Sequence, residues 1–510
     1  MIPLPDLFRY WAKFRPNDEA LVCEDTRYSW HALLIAGEAV AAHLQQRGVQ
    51  PGDRVGVLLP NSAEWAVAYV GLTLAGAVLV PLNSRFGSFE LRAIADDANC
   101  AALITTPEVG QPLGDRFAIG DGDEAAIVVA SPMRHGAAPA SFEAVIASGA
   151  VMPPVRVDPD SLAAIFYTSG STGLPKGTMQ THTSIAAFLM GYILPLQFTS
   201  SERALIVAPL AFTGACLSLL IPMLAIGACA VIERTLDAER ALRLIEAERI
   251  SFMTMVPAIW ERLPQLPGWR DADLSSLRVA MTGGAPVSLA LLETYRAKGV
   301  GIRQVYGCTE LGAMGCTSPP LEHALAHPES VGFPQVTLEM RIVKDGADCG
   351  VGEAGELWVR GPQVMRGYWN APEQTAAAID GDGWFRTGDL LCRNTDGTLR
   401  MVDRLKNMII SGGVNVYPAE IERALATIDG VIESGVFGLP DAQWGERVVA
   451  MIHYDADADL NTVRGAARDL LGPLKSPREY VRCPDPLPKT VTNKIARHEL
   501  PTLYAQMAHH

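Results

Sequence analysis

The stretch "FYTSGSTGLPKGTMQTH", from Phe166 to His182, places three glycines, a run of hydroxyl side chains and one lysine between two apolar segments. We interpret the preceding "LAAIFY" as a strand and the following "THTSIAAFLMGYI" as a helix. Glycine lets a ligand approach the backbone closely, so N–H groups and hydroxyls can converge on one point. With Lys176, these donors suit a polyphosphate, and the sequence predicts a loop that holds ATP phosphates. A flexible surface loop is the alternative that polar composition alone favours.

The loop does not have the spacing of a Walker A motif. That motif requires glycine, four residues and then Gly-Lys-Ser/Thr. Here Lys176 follows Pro175 and precedes Gly177. The sequence therefore disfavours a P-loop NTPase.

The bulk composition of the 510-residue chain indicates a globular protein of two or more domains, since 49% of residues are hydrophobic and 19% are charged. A net charge of −14 disfavours nonspecific binding to nucleic acid or to an anionic membrane. The nine cysteines include no C-x-x-C pair, which favours a reducing, cytoplasmic location over a disulfide framework or a zinc site.

One apolar stretch, 204–232, has no charged residue and is long enough to span a bilayer. Pro209, Gly214, Pro222 and Gly227 divide it. We therefore predict a strand, a loop, a helix of about ten residues and a second strand in a buried core, and no transmembrane segment.

The order of helical and strand patterns predicts an α/β fold. In the first half, strands and helices alternate, which is typical of parallel sheets with helices on their faces. After Gly332 the pattern becomes a small β-rich region, and from Asp403 it becomes compact α+β. We predict a large N-terminal domain of several subdomains, 1–403, and a small mobile C-terminal domain, 404–510.

The string "YTSGSTGLPKG" resembles the signature of the adenylate-forming enzymes, which include acyl-CoA synthetases, carrier-protein adenylation domains and beetle luciferases. Further strings resemble motifs of this family in the same order along nearly the whole chain: "GDRVGVLLPNSAEW" (52–65), "VYGCTELG" (305–312), "GYW" with "GWFRTGDL" (383–390), "DRLKNMIISGGVNVYPAEIE" (403–422) and "PKTVTNKIAR" (488–497).

The resemblance implies an acid–CoA ligase that uses ATP, Mg²⁺ and CoA. A carboxylate would attack the α-phosphorus of ATP to give an acyl-adenylate and pyrophosphate, and a thiol would then displace AMP. Because two anions meet in the first step, positive charge is needed between them. Lys494 aligns with the family's catalytic lysine, although Asn493 replaces the usual glycine before it. Thr309 and Glu310 are the other predicted catalytic residues.

The resemblance also implies a nucleotide site in which Asp389 and Arg404 contact the ribose, Tyr306 stacks on adenine and Thr309 contacts the α-phosphate. Glu310 and Thr168 would bind Mg²⁺ through oxygen. The remaining predicted nucleotide contacts are Ser169, Gly170, Ser171, Thr172, Gly173, Lys176, Gly284, Ala285, Pro286, Gln304 and Gly307.

Lys406 aligns with a hinge about which the family's small domain turns between the two half-reactions. The turn would withdraw Lys494 and bring Ser411, Gly412 and Gly413 to the site, where the glycines would let a pantetheine arm pass.

The predicted acid pocket has no charged residue; it consists of Phe212, Thr213, Gly214, Ser218, Trp260 and Gly283. Phe212 stands where many CoA ligases of the family have histidine. A dicarboxylate would require a paired cation, so the lining favours a monocarboxylate, either fatty or aromatic.

Three alternatives share the motifs. A stand-alone adenylating enzyme would load a carrier protein, a luciferase-like monooxygenase would need oxygen chemistry, and a noncatalytic relative would not need Lys494, Asp389 and Glu310. We expect small-molecule partners and no nucleic acid; a homodimer is possible.

Overall fold

The computed structural model describes residues 3–117, 119, 126–129, 140–168, 175–283, 288–317, 321–412, 414–454, 459–490 and 494–508. Two seven-stranded sheets form most of the part before residue 310. The first sheet is parallel except at the edge strand Thr26–Ser29. Its strands lie in the order Ile302–Val305, Val279–Gly283, Phe252–Met255, Arg203–Ile206, Cys229–Ile232, Glu19–Cys23 and Thr26–Ser29.

The second sheet has four central parallel strands and antiparallel strands at both edges. Its strands lie in the order Ala140–Ser141, Ala126–Val129, Ala102–Thr105, Arg54–Leu58, Val78–Pro81, Leu162–Thr168 and Lys176–Thr181. The two sheets confirm the predicted α/β class with parallel sheets.

The strand Lys176–Thr181 corrects one sequence interpretation. The segment after the predicted phosphate loop does not enter the helix directly; it first pairs antiparallel with Leu162–Thr168. Thr178 and Gln180 are fully buried, and Gly177 and Thr181 are buried as well, so this strand is covered on both faces. The helix then begins at His182, with Thr181 as its cap.

Helices between the two sheets supply the largest core. Every residue of the helix Ala63–Ala75 except Glu64 is buried, as expected for a helix that is apolar on all sides. It packs closely on the helix Trp30–Gln46, which is capped by Ser29. A Cβ on Gly37 would lie 2.5 Å from Val70 Cγ1, so this contact requires glycine.

The other helices add to this core, as Leu4–Phe14 and His182–Leu196 do, pack on separate apolar clusters or connect strands. The longer ones are Leu4–Phe14, Ser88–Asp97, His182–Leu196, Ala238–Ala247 and Leu289–Arg296. Shorter ones are Pro107–Gly110, Phe142–Ala147, Pro257–Arg262, Leu321–Ala326 and Pro372–Ala378.

The apolar stretch 204–232 belongs to the core, as predicted. The strand Arg203–Ile206 leads into the helical turns Thr213–Ala215, Cys216–Leu220 and Ile221–Ile226, and the strand Cys229–Ile232 follows. The middle turn is π-helical. No helix in the described part of the chain combines the length and apolar character needed to cross a bilayer.

A five-stranded antiparallel sheet forms the predicted β-rich region. Its strands lie in the order Ala347–Asp348, Glu339–Lys344, Ala354–Arg360, Phe385–Arg393 and Leu399–Arg404. The short strands Cys316–Thr317 and Phe333–Pro334 pair with each other before it.

The C-terminal part folds around its own sheet and packs the helices Pro418–Leu425, Leu460–Lys475 and Leu500–Ala508 near it. The sheet contains Val414–Val416, Ile409–Ser411, Gly445–Tyr454, Val431–Asp441 and Glu479–Arg482. This α+β architecture is the predicted one, and the boundary at 403/404 stays a prediction.

Candidate active site

Two neighbouring parallel strands of the first sheet end at the candidate site. Gly283 and Val305 are paired at their carboxyl ends, and Tyr306 follows directly. In open α/β sheets, ligands bind outside this edge. Gly307 then makes a tight turn, because a Cβ there would lie 2.0 Å from the Ala313 carbonyl oxygen. The backbone continues into the 3₁₀ turn Thr309–Leu311.

Tyr306, Asp389 and Arg404 form a connected polar group. Tyr306 and Asp389 are 7% and 4% exposed, and the Tyr306 hydroxyl donates to Asp389 Oδ2 at 2.8 Å. Arg404 Nε lies 3.2 Å from Asp389 Oδ1. Asp389 and Arg404 are cross-strand partners on the last hairpin of the antiparallel sheet, which fixes their proximity.

Burial controls the ionisation of this group. Removal from water raises the pKa of Asp389, while Arg404 and the Tyr306 hydroxyl favour the carboxylate and partly oppose that rise. Burial also raises the pKa of Tyr306 well above its ordinary range, and the Asp389 charge adds to this. Tyr306 therefore stays a neutral donor at physiological pH.

Two residues of the segment that contains "GYW", Met365 and Tyr368, hold Glu310 in place. The Tyr368 hydroxyl donates to Glu310 Oε1 at 2.9 Å, and the Met365 N–H donates to the Glu310 carbonyl oxygen at 2.8 Å. Lys176 Nζ lies 5.4 Å from the centre of the Tyr368 ring. Tyr368 thus meets Lys176 of the predicted phosphate motif with its ring and the predicted Mg²⁺ ligand Glu310 with its hydroxyl.

Thr309 contacts both the second sheet and the predicted acid pocket. Gln180 Nε2 donates to the Thr309 carbonyl oxygen at 2.8 Å. The hydroxyl oxygens of Thr309 and Thr213 are 3.2 Å apart. Thr309 therefore stands at the junction of the nucleotide motifs and the pocket.

Lys494 comes to this group from the C-terminal domain. Its N–H donates to Thr490 Oγ1 at 3.2 Å, and its carbonyl oxygen accepts from the Thr490 N–H at 2.7 Å. The residue is exposed. Partial withdrawal of its ammonium from water lowers the pKa of Lys494; repulsion by Arg404 adds to this, and attraction to Asp389 opposes it. The predicted catalytic lysine and ribose residues therefore share one electrostatic environment.

The predicted hinge lies in the exposed 3₁₀ turn Leu405–Asn407. The buried carboxylate of Asp403 is anchored beside it, with Oδ1 accepting from the Arg404 N–H at 2.6 Å and Oδ2 accepting from the Ala419 N–H at 2.6 Å. Asp403 thus connects the antiparallel sheet to the first helix of the C-terminal domain. The hinge role of Lys406 stays a prediction.

The strand that carries Ser411 ends in a turn that requires glycine. Gly412 has φ +59°, and a Cβ there would lie 2.8 Å from the Trp444 ring. The Gly412 N–H donates to the Trp444 carbonyl oxygen at 2.8 Å. Ser411 is buried. Their predicted contact with pantetheine stays a prediction.

The entrance of the predicted acid pocket is the turn Phe212–Gly214, beside Thr309. Phe212 and Thr213 are partly buried and Gly214 is exposed. A Cβ on Gly214 would meet no described atom within 4 Å. Among the described residues, the space next to Gly214 is therefore open.

Ser218 and Trp260 are fully buried, so neither faces open space in this structure. Trp260 Nε1 donates to the Met281 carbonyl oxygen at 3.0 Å, and its ring packs edge-to-face on Tyr295 at 5.2 Å. Ser218 lies on the π-helical turn. Trp260 thus belongs to the core beneath the first sheet.

Of the other predicted residues, Gln304 lies on the strand beside Gly283, and Thr168 ends its strand opposite Lys176. Several predicted residues lie outside the described residues: Ser169, Gly170, Ser171, Thr172, Gly173, Gly284, Ala285, Pro286 and Gly413.

Sequence reasoning assigned no role to Tyr368 or Gln180, although both hold residues of the site. Their partners are 58 and 129 positions away along the chain. The quoted "GYW" contained Tyr368, but the motif alone did not indicate a contact with Glu310.

The model of the AMP-binding enzyme family matches residues 8–369, and that of the AMP-binding enzyme C-terminal domain matches residues 420–494. A feruloyl-CoA synthase from an Amycolatopsis species is 35% identical over 492 residues, 96% of each chain. A long-chain-fatty-acid–CoA ligase from Mycobacterium tuberculosis is 31% identical over 506 residues, 98% of each chain.

A solved structure of O-succinylbenzoate coenzyme A synthetase from Bacillus subtilis, in complex with ATP and magnesium ion, is similar over 97% of this chain and 99% of that chain, with a TM-score of 0.84 and 27% identity. These matches confirm the predicted adenylate-forming family, fold class and reaction. The chain belongs to the AMP-binding enzyme family, and it is an AMP-forming acid–CoA ligase.

Proposed function

We propose that the acid activated by this ligase is an aromatic monocarboxylic acid. The observation that carries the proposal is the turn Phe212–Gly214: the Thr213 hydroxyl oxygen lies 3.2 Å from that of Thr309, Phe212 is only partly buried, and a Cβ on Gly214 would meet no described atom within 4 Å. Phe212 can pack against an aromatic ring. An uncharged lining would leave a second carboxylate unpaired. The feruloyl-CoA synthase relative is named for an aromatic acid.

In the proposed first half-reaction, Asp389 accepts hydrogen bonds from the ribose hydroxyls and Thr309 contacts the α-phosphate. The acid's carboxylate oxygen forms a bond to the α-phosphorus, and the bond to the bridging oxygen breaks, so that pyrophosphate leaves. Lys494 donates to the carboxylate and the α-phosphate oxygens, whose negative charges would otherwise repel each other.

The oxygen atoms that Glu310 and its neighbours offer as ligands fit Mg²⁺, which prefers carboxylate, hydroxyl and phosphate oxygens. Glu310 would hold the ion, and the Tyr368 hydroxyl would fix the orientation of its carboxylate. When bound, Mg²⁺ would supply positive charge to the phosphates. Thr168, at the end of its strand, is a second proposed ligand.

In the proposed second half-reaction, the chain turns at Lys406 and Lys494 leaves. Ser411 and Gly412 then border the path of the CoA pantetheine arm. The CoA sulfur forms a bond to the acyl carbon, the bond to the phosphate oxygen breaks, and AMP leaves as the thiol proton passes to solvent. The full-length likeness to acid–CoA ligases supports CoA over a carrier protein as the acceptor.

The acid assignment is tested by pyrophosphate release with matched panels of cinnamic, phenylacetic and straight-chain fatty acids. We expect kcat/KM for the best aromatic acid to exceed that for the best fatty acid at least tenfold. A fatty acid with the higher value would refute the aromatic assignment. Product analysis with free CoA and with an acyl carrier protein should give thioester on CoA.

The role of Lys494 is tested separately with Lys494→Ala and the matched variant Lys489→Ala. Lys489 lies on the same turn but pairs with Glu433 Oε1 at 2.5 Å. We expect Lys494→Ala to lose about 10²-fold or more in acyl-adenylate formation, because its charge acts in the transition state. The Lys489 variant should retain the parent rate. Equal rates in parent and Lys494→Ala would contradict the proposed chemistry.

We also propose a cytoplasmic location, which is supported by the nine free cysteines. A homodimer stays a prediction that sedimentation can test.

A further inference from the structure

Two histidines and one aspartate come together outside the candidate active site. His323 lies on the helix Leu321–Ala326, and His327 follows it at the i+4 position, with its N–H donating to the His323 carbonyl oxygen at 2.9 Å. Asp396 lies in the turn between the strands Phe385–Arg393 and Leu399–Arg404. One ligand atom from each side chain lies within 4.8 Å of the other two. We call these three residues the His–Asp cluster.

Two of the three spacings within the cluster are close to those of a metal site. Asp396 Oδ2 lies 3.4 Å from His323 Nε2 and 3.8 Å from His327 Nε2. In a tetrahedral site with Zn–N and Zn–O bonds of about 2.0–2.2 Å, neighbouring ligand atoms are about 3.3–3.6 Å apart. Shifts of a few tenths of an ångström would therefore suffice for these two pairs.

Outer contacts already orient two of the three side chains. Asp396 Oδ1 accepts from the Thr398 N–H at 2.9 Å and from its hydroxyl at 2.7 Å, which leaves Oδ2 to face the histidines. His327 Nδ1 lies 3.7 Å from Glu329 Oε1. A carboxylate behind a coordinating histidine is the usual outer partner in metal sites.

His323 supplies an independent indication. Its Nε2 is inaccessible to solvent and makes no hydrogen bond to any described residue; the nearby Asp396 Oδ2, at 3.4 Å, does not meet the geometry of one. Its ring is held in place between the rings of His327, at 4.7 Å, and Phe333, at 5.6 Å. A buried polar atom without a hydrogen bond is costly, and an ion bound at Nε2 would remove that cost.

We propose that the His–Asp cluster binds one divalent transition-metal ion of the Zn²⁺ class, with water completing its coordination. Two histidines at i and i+4 present their rings on the same side of a helix, as in known zinc sites. Imidazole with one carboxylate selects zinc, cobalt or nickel over Mg²⁺, which prefers oxygen ligands. The site is therefore chemically distinct from Glu310.

The position of the cluster assigns the ion a structural role. The hairpin that carries Asp396 at its turn also carries Asp389 and Arg404, which are seven and eight residues from Asp396 along the chain, roughly 20 Å away. The ion would join the helix Leu321–Ala326 to this hairpin without contacting the reactants. Its binding should stabilise the chain and should not be needed for the chemistry.

The test uses full-length protein without an affinity tag, with His509 and His510 replaced by alanine because adjacent histidines compete for metal. After treatment with a chelator, the protein is titrated with Zn²⁺ against a chromophoric chelator, in the absence of nucleotide. We expect one saturable equivalent that excess Mg²⁺ does not displace. Co²⁺ should give the visible absorption of a tetrahedral site.

The variants His323→Asn, His327→Asn and Asp396→Asn should each weaken Zn²⁺ binding at least about tenfold and abolish the metal-dependent rise in Tm. His498→Asn, at an exposed histidine outside the cluster, is the matched control and should behave as the parent. Unchanged Tm without metal would show that the variants fold. No saturable equivalent in the parent, or parent-like affinity in both histidine variants, would overturn the proposal.

Discussion

Replacing Asp389 with asparagine separates its proposed role in nucleotide binding from a role in folding. In the free protein, one carboxylate oxygen accepts from Tyr306 and the other lies 3.2 Å from Arg404 Nε. Asparagine has nearly the same shape but only one acceptor oxygen. If that oxygen keeps the Tyr306 hydrogen bond, the amide NH₂ faces Arg404 and the ribose as a donor.

The expected loss follows from the number of acceptors removed. One hydrogen bond to a charged acceptor contributes about 1.5–3 kcal/mol, so AMP should bind roughly 10- to 150-fold more weakly. Folding should not suffer to the same extent. Burial raises the pKa of Asp389 above its unfolded value, so its ionisation costs stability at neutral pH. Asp389→Asn should therefore retain or increase the free energy of unfolding.

Calorimetric titration with AMP and urea unfolding of the same preparation measure both quantities. Asp382→Asn, in the exposed turn before the strand Phe385–Arg393, is the control and should leave AMP binding unchanged. Parent-like AMP affinity in Asp389→Asn would refute the ribose assignment. A loss of unfolding free energy as large as the loss in binding would indicate a structural role instead.

The pH dependence gives a second check on the same residue. A protonated Asp389 loses acceptor capacity, so AMP binding should weaken as pH falls through its raised pKa. Stability of the free protein should change in the opposite direction, because folding favours the protonated form and the contribution is lost as pH rises. Asp389→Asn should lack both effects.

Four further predictions concern other parts of the site. The pKa of Lys494 is lowered, so adenylate formation should decline as pH rises through that value; Lys494→Arg, which keeps its charge, should move this decline to higher pH in a kcat/KM profile. Lys406→Pro should retain acyl-adenylate formation and block thioester formation, because proline fixes φ at a value that suits the present 3₁₀ turn; equal losses in separate half-reaction assays would count against it. Tyr368→Phe frees the Glu310 carboxylate and should raise the Mg²⁺ concentration for half-maximal rate several-fold while the rate at saturating Mg²⁺ changes little. Gly214→Leu should fold normally and shift preference toward smaller acids by at least about tenfold, since its Cβ meets no described atom within 4 Å; an unchanged ratio of kcat/KM values would place the acid elsewhere.

The parts of the fold that could be predicted are those in which local pattern and burial agree. The helix Trp30–Gln46 follows Ser29, whose hydroxyl accepts from the Ala32 N–H, and serine is a favoured cap at this position. The strand Lys176–Thr181 was missed because glycine, methionine and threonine there suggested a loop and a helix cap. Its pairing with Leu162–Thr168 is a tertiary contact that overrides local preference.

In the site, too, the sequence predicted individual residues but not the tertiary contacts between them. Motifs identified Asp389, Tyr306 and Glu310, which all lie near one edge of the first sheet. Their spacing did not indicate that Tyr368 donates to Glu310 or that Tyr306 donates to Asp389, because these contacts join segments far apart in sequence. Trp260 was predicted in the pocket from its segment alone; it is fully buried and donates to the Met281 carbonyl oxygen, and its place in the acid pocket stays a prediction.

The charges at the site give a reason why the proposed catalytic lysine would be supplied by a second domain. The chain carries a net charge of −14, yet Lys494 and Arg404 both lie near Asp389, and their mutual repulsion contributes to the lowered pKa of Lys494. Bound ATP would place negative charge between these cations and relieve that repulsion, which favours the present domain arrangement. When pyrophosphate leaves, most of this negative charge goes with it. Beyond a Debye length of about 8–10 Å, solvent ions screen the charge, and it no longer offsets the repulsion between the two cations. The same electrostatics that bring Lys494 to the acid would then weaken its hold and favour its withdrawal before CoA enters.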